Sequence, residues 1–159
     1  MSKGFDNSFK FPKRRGFEVA KGFEDKNINL PKRATKKAAG YDFESSEDII
    51  IPVGNKPVLV PTGVKSYMGD QEVLVLANRS SNPLKKGLVL TNGIGVIDAD
   101  YYSNGSNDGH IMGQFINVGK EDVVIKKGER VFQGIFLPFL LGDNDIPGQD
   151  RTGGHGSTN

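Results

Sequence analysis

The 159-residue chain contains no cysteine. That absence excludes disulfides, thiolate nucleophiles and thiolate metal sites together, and it is compatible with residence in the cytoplasm. Histidine is scarce as well: His110 and His155 lie too far apart to suggest a local metal pair, and the zinc-deaminase pattern, which needs cysteines, is missing. Long apolar runs are lacking. The longest, Ile135 to Leu141, is interrupted by Pro138 and is far too short to span a bilayer, so no membrane association is expected. The basic N-terminus is not followed by the apolar run of an export signal. Net charge is only +2, which gives no reason to expect a specific nucleic-acid partner.

What is present points to strands and turns. Apolar residues make up 36% of the chain, enough for one domain with a core but not a large one. Glycine (21 residues) and proline (8 residues) are frequent without a collagen-like period, as in a β protein rich in tight turns. From Tyr41 to Leu141 short β-branched or leucine-rich runs recur at intervals of roughly 8–12 residues, with turn signals between them. They include Asp48–Ile51, Val58–Val60, Glu72–Leu76, Leu88–Leu90, Ile94–Ile97, Ile111–Val118, Val123–Ile125 and Val131–Phe139. An earlier strand is expected near Phe17 to Ala20. Only Pro83 to Lys86 invites a helical turn, with Gly87 as its stop. The expectation is an all-β fold, a distorted jelly-roll-like barrel or sandwich with at most one short helix. Residues 1–15 read as a basic N-terminal extension, 16–141 as the β domain and 142–159 as a C-terminal arm, mobile because it holds too little apolar surface to fold by itself.

Four segments have the composition of a chemical site. The tail Arg151 to Thr158 combines glycines, hydroxyls and a bidentate cation, a phosphate-cradling set without the P-loop spacing; a plain Gly/Ser tail would look similar. Asn78-Arg79-Ser80-Ser81 ends an apolar strand before the helical turn. Its hydroxyls suit either an anion or simple N-capping. Asn92 to Tyr102 holds Gly93-Ile94-Gly95, but Asp98 stands where a dinucleotide fingerprint needs glycine, so a Rossmann reading fails. On an extended strand Asp98 and Asp100 would face one side, able to orient a water or to serve only as turn formers. Gly128-Glu129-Arg130-Val131-Phe132-Gln133, read alone, is a turn and a strand.

Taken in order, these segments resemble the five motifs of the trimeric dUTP pyrophosphatase family. Ala39 to Phe43 is similar to the first motif, Arg79-Ser80-Ser81 with Lys86-Gly87 to the second, and Asn92 to Tyr101 to the third. Gly128 to Gln133 resembles the fourth and Arg151 to Thr158 the fifth. The likeness runs from about residue 29 to the last residue, and five motifs in register are far more specific than any one. It implies a homotrimer with sites between subunits. The activity implied is hydrolysis of dUTP to dUMP and pyrophosphate by water attack on the α-phosphorus, which keeps uracil out of DNA and supplies dUMP for thymidylate synthesis. Asn92 and the backbone near Ile111 and Met112 would read uracil, and Tyr101 would lie against the deoxyribose. Asp98 would hold the 3′-hydroxyl and aim the water. Arg79, Ser80, Ser81 and Gln133 would meet phosphates, joined by Arg151, Ser157 and Thr158 as the arm closes. Mg2+ would ride mainly on the substrate phosphates, with Asp42 acting through waters.

Two departures from the pattern stand out. His155 occupies the tail position usually filled by phenylalanine, where it can still stack on a base. The stretch Tyr102 to Gly109 is longer than the common hairpin tip. Two rival readings remain. A dCTP deaminase of the same fold would need an acid–base residue at the base edge, and the Asn92 region offers none. A nucleotide-sensing or protein-binding module is motivated by the basic N-terminal residues and the long 102–109 stretch.

Overall fold

Alternating β-branched and polar residues, cut every few positions by glycine or proline, leave strands as the regular element that can grow here. The computed structural model describes residues 12–148, 150, 151 and 153–155. Strands β1 to β6 span Gly16–Val19, Lys32–Arg33, Tyr41–Glu44, Ile49–Ile51, Gly54–Pro61 and Val64–Tyr67. Strands β7 to β12 span Glu72–Asn78, Leu88–Leu90, Ile94–Asp98, Met112–Asn117, Val123–Ile125 and Arg130–Pro138. The expected helical turn is one wide turn over Asn82–Lys86, stopped by Gly87 in the left-handed region (φ 67°). A second, three-residue 3-10 turn follows β9 at Ala99–Tyr101.

All strand pairs are antiparallel. The largest sheet has the order β2-β3-β12-β7-β9, and β5-β10-β8, β1-β6 and β11-β4 form smaller ones. Such non-consecutive neighbours are the mark of a jelly-roll-like all-β fold, as expected. Between the sheets lies one core built around Phe43, Phe115 and Phe132, all fully buried. Phe43 stacks on Phe132 with centroids 4.9 Å apart, and Phe17 meets Phe43 edge-on at 5.3 Å. Each such ring contributes roughly 1.5–3 kcal/mol by leaving water.

The five-stranded sheet has two unlike faces. Phe43, Phe132, Leu74, Leu76 and Ile97 point into the core. By the pairing register, Val73, Val75, Ala77, Ile94, Val96, Ile135 and Leu137 share the opposite, outward face. Ile94, Val96 and Leu137 on that face are 52%, 57% and 44% exposed. Asp98 stands at one end of it, opposite Val73, and Asp42 with Gln133 at the other. Among the described residues no helix is long and apolar enough to cross a membrane.

Candidate active site

The predicted residues gather in two places. One lies where β3, β12 and the end of β7 meet. Asp42 and Gln133 are direct cross-strand partners. Asp42 accepts a hydrogen bond from Arg130 Nη1 at 3.2 Å and pairs with Arg79 Nε at 3.6 Å, so one carboxylate sits between two guanidinium groups. Gln133 donates to the Asn78 carbonyl at 3.2 Å. Gly40 leaves the space its amide fills, because a Cβ there would lie 3.0 Å from Gln133 Cδ. The buried Asn82 amide donates to Asn78 Oδ1 (2.8 Å) and Val131 O (2.7 Å), and Arg79 Nη1 donates to Arg130 O (3.2 Å). Lys86 clamps Glu129; burial, the largest single influence, opposes ionisation of that glutamate, but the Lys86 hydrogen bond, the Lys126 N–H and the Lys86 and Arg79 charges together hold it below the usual carboxylate range. The second and fourth motifs are thereby stitched into one block. Ser81 precedes the helical turn but makes no capping hydrogen bond, and Ser80 beside it is exposed.

The other group surrounds β9 and β10. β9 ends at Asp98, and the 3-10 turn redirects the chain, so Asp98 and Asp100 are not on one strand face as alternation suggests. They are nonetheless bridged by the arm: Arg151 Nη2 lies 2.6 Å from Asp98 and its Nε 2.9 Å from Asp100. The same guanidinium sits 5.6 Å over the Tyr101 ring. Tyr101 is buried, donating its hydroxyl proton to His110 O and receiving the Asn107 amide, both at 2.8 Å. Burial raises the phenol above its ordinary value, against the Asn107 hydrogen bond and the Arg151 charge. Asn92 is exposed on the turn leading into β9. Next to that turn, Thr91 N donates to Gln114 O at 3.0 Å, and Gln114 Nε2 lies 3.1 Å from His155 Nε2. Met112 opens β10 opposite Pro61.

Ile111 lies just inside that group. It is fully buried, its N–H goes to Val64 O (2.8 Å), and its carbonyl receives Thr62 Oγ1 (2.6 Å). Ser157 and Thr158 lie outside the described residues. Arg130, Gln114 and Asn107 were missed by the sequence reading. Arg130 sits inside the fourth motif and could have been chosen as a cation beside Asp42; the others depend on contacts no local pattern encodes.

Among the described residues no three His or acidic side chains are grouped to hold a metal ion. A single carboxylate already flanked by arginines suits an ion that arrives on phosphates and keeps its own waters, as magnesium does.

Acids, the Tyr101 ring and arginines on a jelly-roll-like scaffold define the class: an all-β protein with a charged site suited to a phosphorylated ligand. The profile of the dUTPase family matches residues 26–152, and the chain belongs to that family. It is 53% identical over 148 residues to the deoxyuridine 5'-triphosphate nucleotidohydrolase of Lactococcus lactis subsp. lactis, covering 92% of this chain and 98% of that protein. The corresponding protein of Desulfitobacterium hafniense is 40% identical, over 85% of this chain and 90% of its own length. The crystal structure of dUTPase from Streptococcus mutans superposes with a TM-score of 0.77 at 56% identity, covering 81% of this chain and 99% of that one.

Proposed function

We propose that this protein hydrolyses dUTP to dUMP and pyrophosphate in a homotrimer whose sites lie between subunits, with magnesium carried on the triphosphate. The observation that carries the reading is the meeting of Asp98, Tyr101 and the arm's Arg151 beside the β9–β10 strands. Uracil lies toward Asn92 and Met112, and the sugar packs on Tyr101. A ring held by two hydrogen bonds cannot yield to a 2′-hydroxyl, which sets the preference for deoxyribose. Asp98 accepts the 3′-hydroxyl and a water. The water oxygen attacks the α-phosphorus, the bond from that phosphorus to the bridging oxygen breaks, pyrophosphate leaves, and the water's proton passes to Asp98. A positioned base of this kind contributes about 10²–10⁴-fold. Bound on the phosphates, magnesium supplies charge neutralisation. When the nucleotide enters beneath the docked arm, Arg151 exchanges its two acids for phosphate oxygens, which frees the Asp98 carboxylate for the water and keeps solvent out.

The phosphates need a second chain. Arg79 follows β7, whose Val73 faces Asp98, so along that strand the two lie about 20 Å apart. Arg79, Asp42 and Gln133 stand at the Asn92 end of β9, whereas a nucleotide with its sugar at Asp98 sends its phosphates away from that end. The apolar outward face between the two groups supports a neighbouring chain packing there and bringing its own Arg79 and Gln133. The count of three rests on the family resemblance. The cytoplasmic deoxynucleotide pool is the setting of this reading, in which the enzyme keeps uracil out of DNA and supplies dUMP.

Hydrolysis of dUTP, dTTP, dCTP and UTP, each with magnesium or with a chelator, tests it alongside a mass from light scattering. Pyrophosphate should be released from dUTP with magnesium and little from the others, by a species of three chains. Intact dUTP in the presence of magnesium ends the proposal.

A further inference from the structure

The stretch between Tyr102 and Gly109 exceeds what a hairpin tip requires, and the hydrogen bonds it makes are not those of a slack loop. Its foot is fixed, since Asp108 receives Lys65 Nζ at 2.9 Å and the Lys21 N–H at 2.8 Å. At its tip Asn104 acts as a staple. Its Oδ1 collects the N–H groups of Ser106 (3.0 Å) and Asn107 (3.2 Å) and the Ser106 hydroxyl (3.0 Å); its Nδ2 donates to Tyr101 O and Asn107 Oδ1, both at 2.8 Å. The stapled tip presents Ser106 Oγ to the arm, where it accepts the Gly154 N–H at 2.7 Å. Its hydroxyl proton is spent on Asn104, so the oxygen is oriented as an acceptor for that donor.

The arm is shaped for the same contact. Gly154 is buried in the docked arm, and a Cβ on it would fall 2.7 Å from Ser106 Oγ and 3.0 Å from Asn107 Cγ. Only a residue without a side chain lies flush there. On its other side the tip ends at the Tyr101 hydroxyl through Asn107. We propose that residues 102–109 form a docking ledge for the C-terminal arm, with Ser106 a positioning residue that holds the arm closed by catching Gly154. This deepens the dUTP reading and rests on it: the ledge ties closure of the arm to the tyrosine that packs on the sugar, without touching the reacting atoms.

Closure can be read on the intact chain by trypsin. In the docked arm the Arg151 side chain is only 12% exposed and tied to two acids, so cutting after it reports an open arm. Ser106→Ala, Ser106→Thr and Gly154→Ala are compared with the unaltered chain in the presence of magnesium and a non-hydrolysable α,β-imido dUTP analogue, with nicking followed by intact mass. Losing one hydrogen bond should speed nicking after Arg151 roughly three- to tenfold in Ser106→Ala and raise the KM for dUTP in the same proportion. Ser106→Thr, which keeps the hydroxyl, should restore both. Gly154→Ala, which crowds the contact from the arm's side, should open the arm at least as far as Ser106→Ala. Wild-type nicking and KM in both alanine variants overturn the ledge, as does a Ser106→Thr variant no better than Ser106→Ala. Failure of the unaltered chain to cleave dUTP is a different result, and it removes the functional reading itself.

Discussion

The Asp98 side chain is half exposed, yet it is held at 2.6 Å by a cation from the far end of the chain. That pairing shapes what its replacement should do. With Asp98 as the proposed base, Asp98→Asn should lower kcat about 10²–10⁴-fold. It also removes the competitor that keeps Arg151 from phosphates, so the variant should bind the imido analogue at least as tightly as the unaltered chain. Calorimetric titration checks this, and a large loss of binding would show Asp98 to be mainly a binding group. His110 presents a different residue-level case. Its Nε2 accepts the Gly63 N–H at 2.9 Å and the Thr62 N–H at 3.3 Å, and its ring lies 4.5 Å from Phe23. Burial pushes its pKa down from 6.5 to about 4. Protonation therefore favours the unfolded chain first: the stability is present in full above pH 6.5 and is lost as pH falls toward 4. Between pH 7 and pH 5, above the carboxylate range, this amounts to about 2 kcal/mol. Urea unfolding at the two values should show it, and His110→Gln, which keeps an acceptor without a proton to gain, should lose much less. None of this was legible in the sequence, where His110 is a lone histidine in a polar loop. Asp98 and Tyr101 were legible because their spacing belongs to a recognisable motif. Arg130 on Asp42 is a contact 88 positions apart, which only the β3–β12 register creates.

At the level of elements, glycines separate conformation from space. Gly87 and Gly93 share nearly the same left-handed backbone, φ 67° and 71°, but nothing lies within 4 Å of a Cβ on Gly93, whereas one on Gly87 would meet Gly119 N at 2.6 Å and Cα at 2.8 Å. Alanine at Gly93 should cost only the backbone strain, about 1 kcal/mol; at Gly87 the collision with backbone adds to it, for a total of about 2–4 kcal/mol. Calorimetric melting of the two variants should differ accordingly, and equal shifts would mean that the Gly119 segment gives way freely. Strands with unbroken β-branched or leucine runs were readable almost to the residue: Leu88–Leu90 and Val123–Ile125 are strands with those bounds. Lys32–Arg33 and Val64–Tyr67 were not, because two lysines, an arginine and a serine carry no apolar run. The first is held by pairing with β3 and the second by pairing with β1. The Ile94–Ile97 run is a strand that extends one residue further, to Asp98, but an extended strand with one face for Asp98 and Asp100 is not formed. The 3-10 turn at Ala99–Tyr101 instead sets Tyr101 into the core and leaves both acids to Arg151.

For the molecule as a whole, the division of the site into two groups at opposite ends of one sheet face was invisible in the sequence, where the motifs simply follow one another. It makes a prediction that a complete site within one chain does not share. Asp98→Asn lacks the proposed base and Arg79→Ala the proposed phosphate cation, so each variant alone should be nearly inactive. Produced together with different tags and purified through both, the two chains form mixed assemblies. Some sites there join Asp98 from the Arg79→Ala chain to Arg79 from the Asp98→Asn chain. Selection through both tags removes unmixed trimers, so roughly a third of sites should be whole, because each site draws once from each of two neighbouring chains around the ring. Turnover of dUTP should return to about that fraction, with the KM of the unaltered protein, since the restored sites lack nothing. If Asp98 and Arg79 served the same nucleotide from one chain, every site in the mixture would carry a defect and no activity would return.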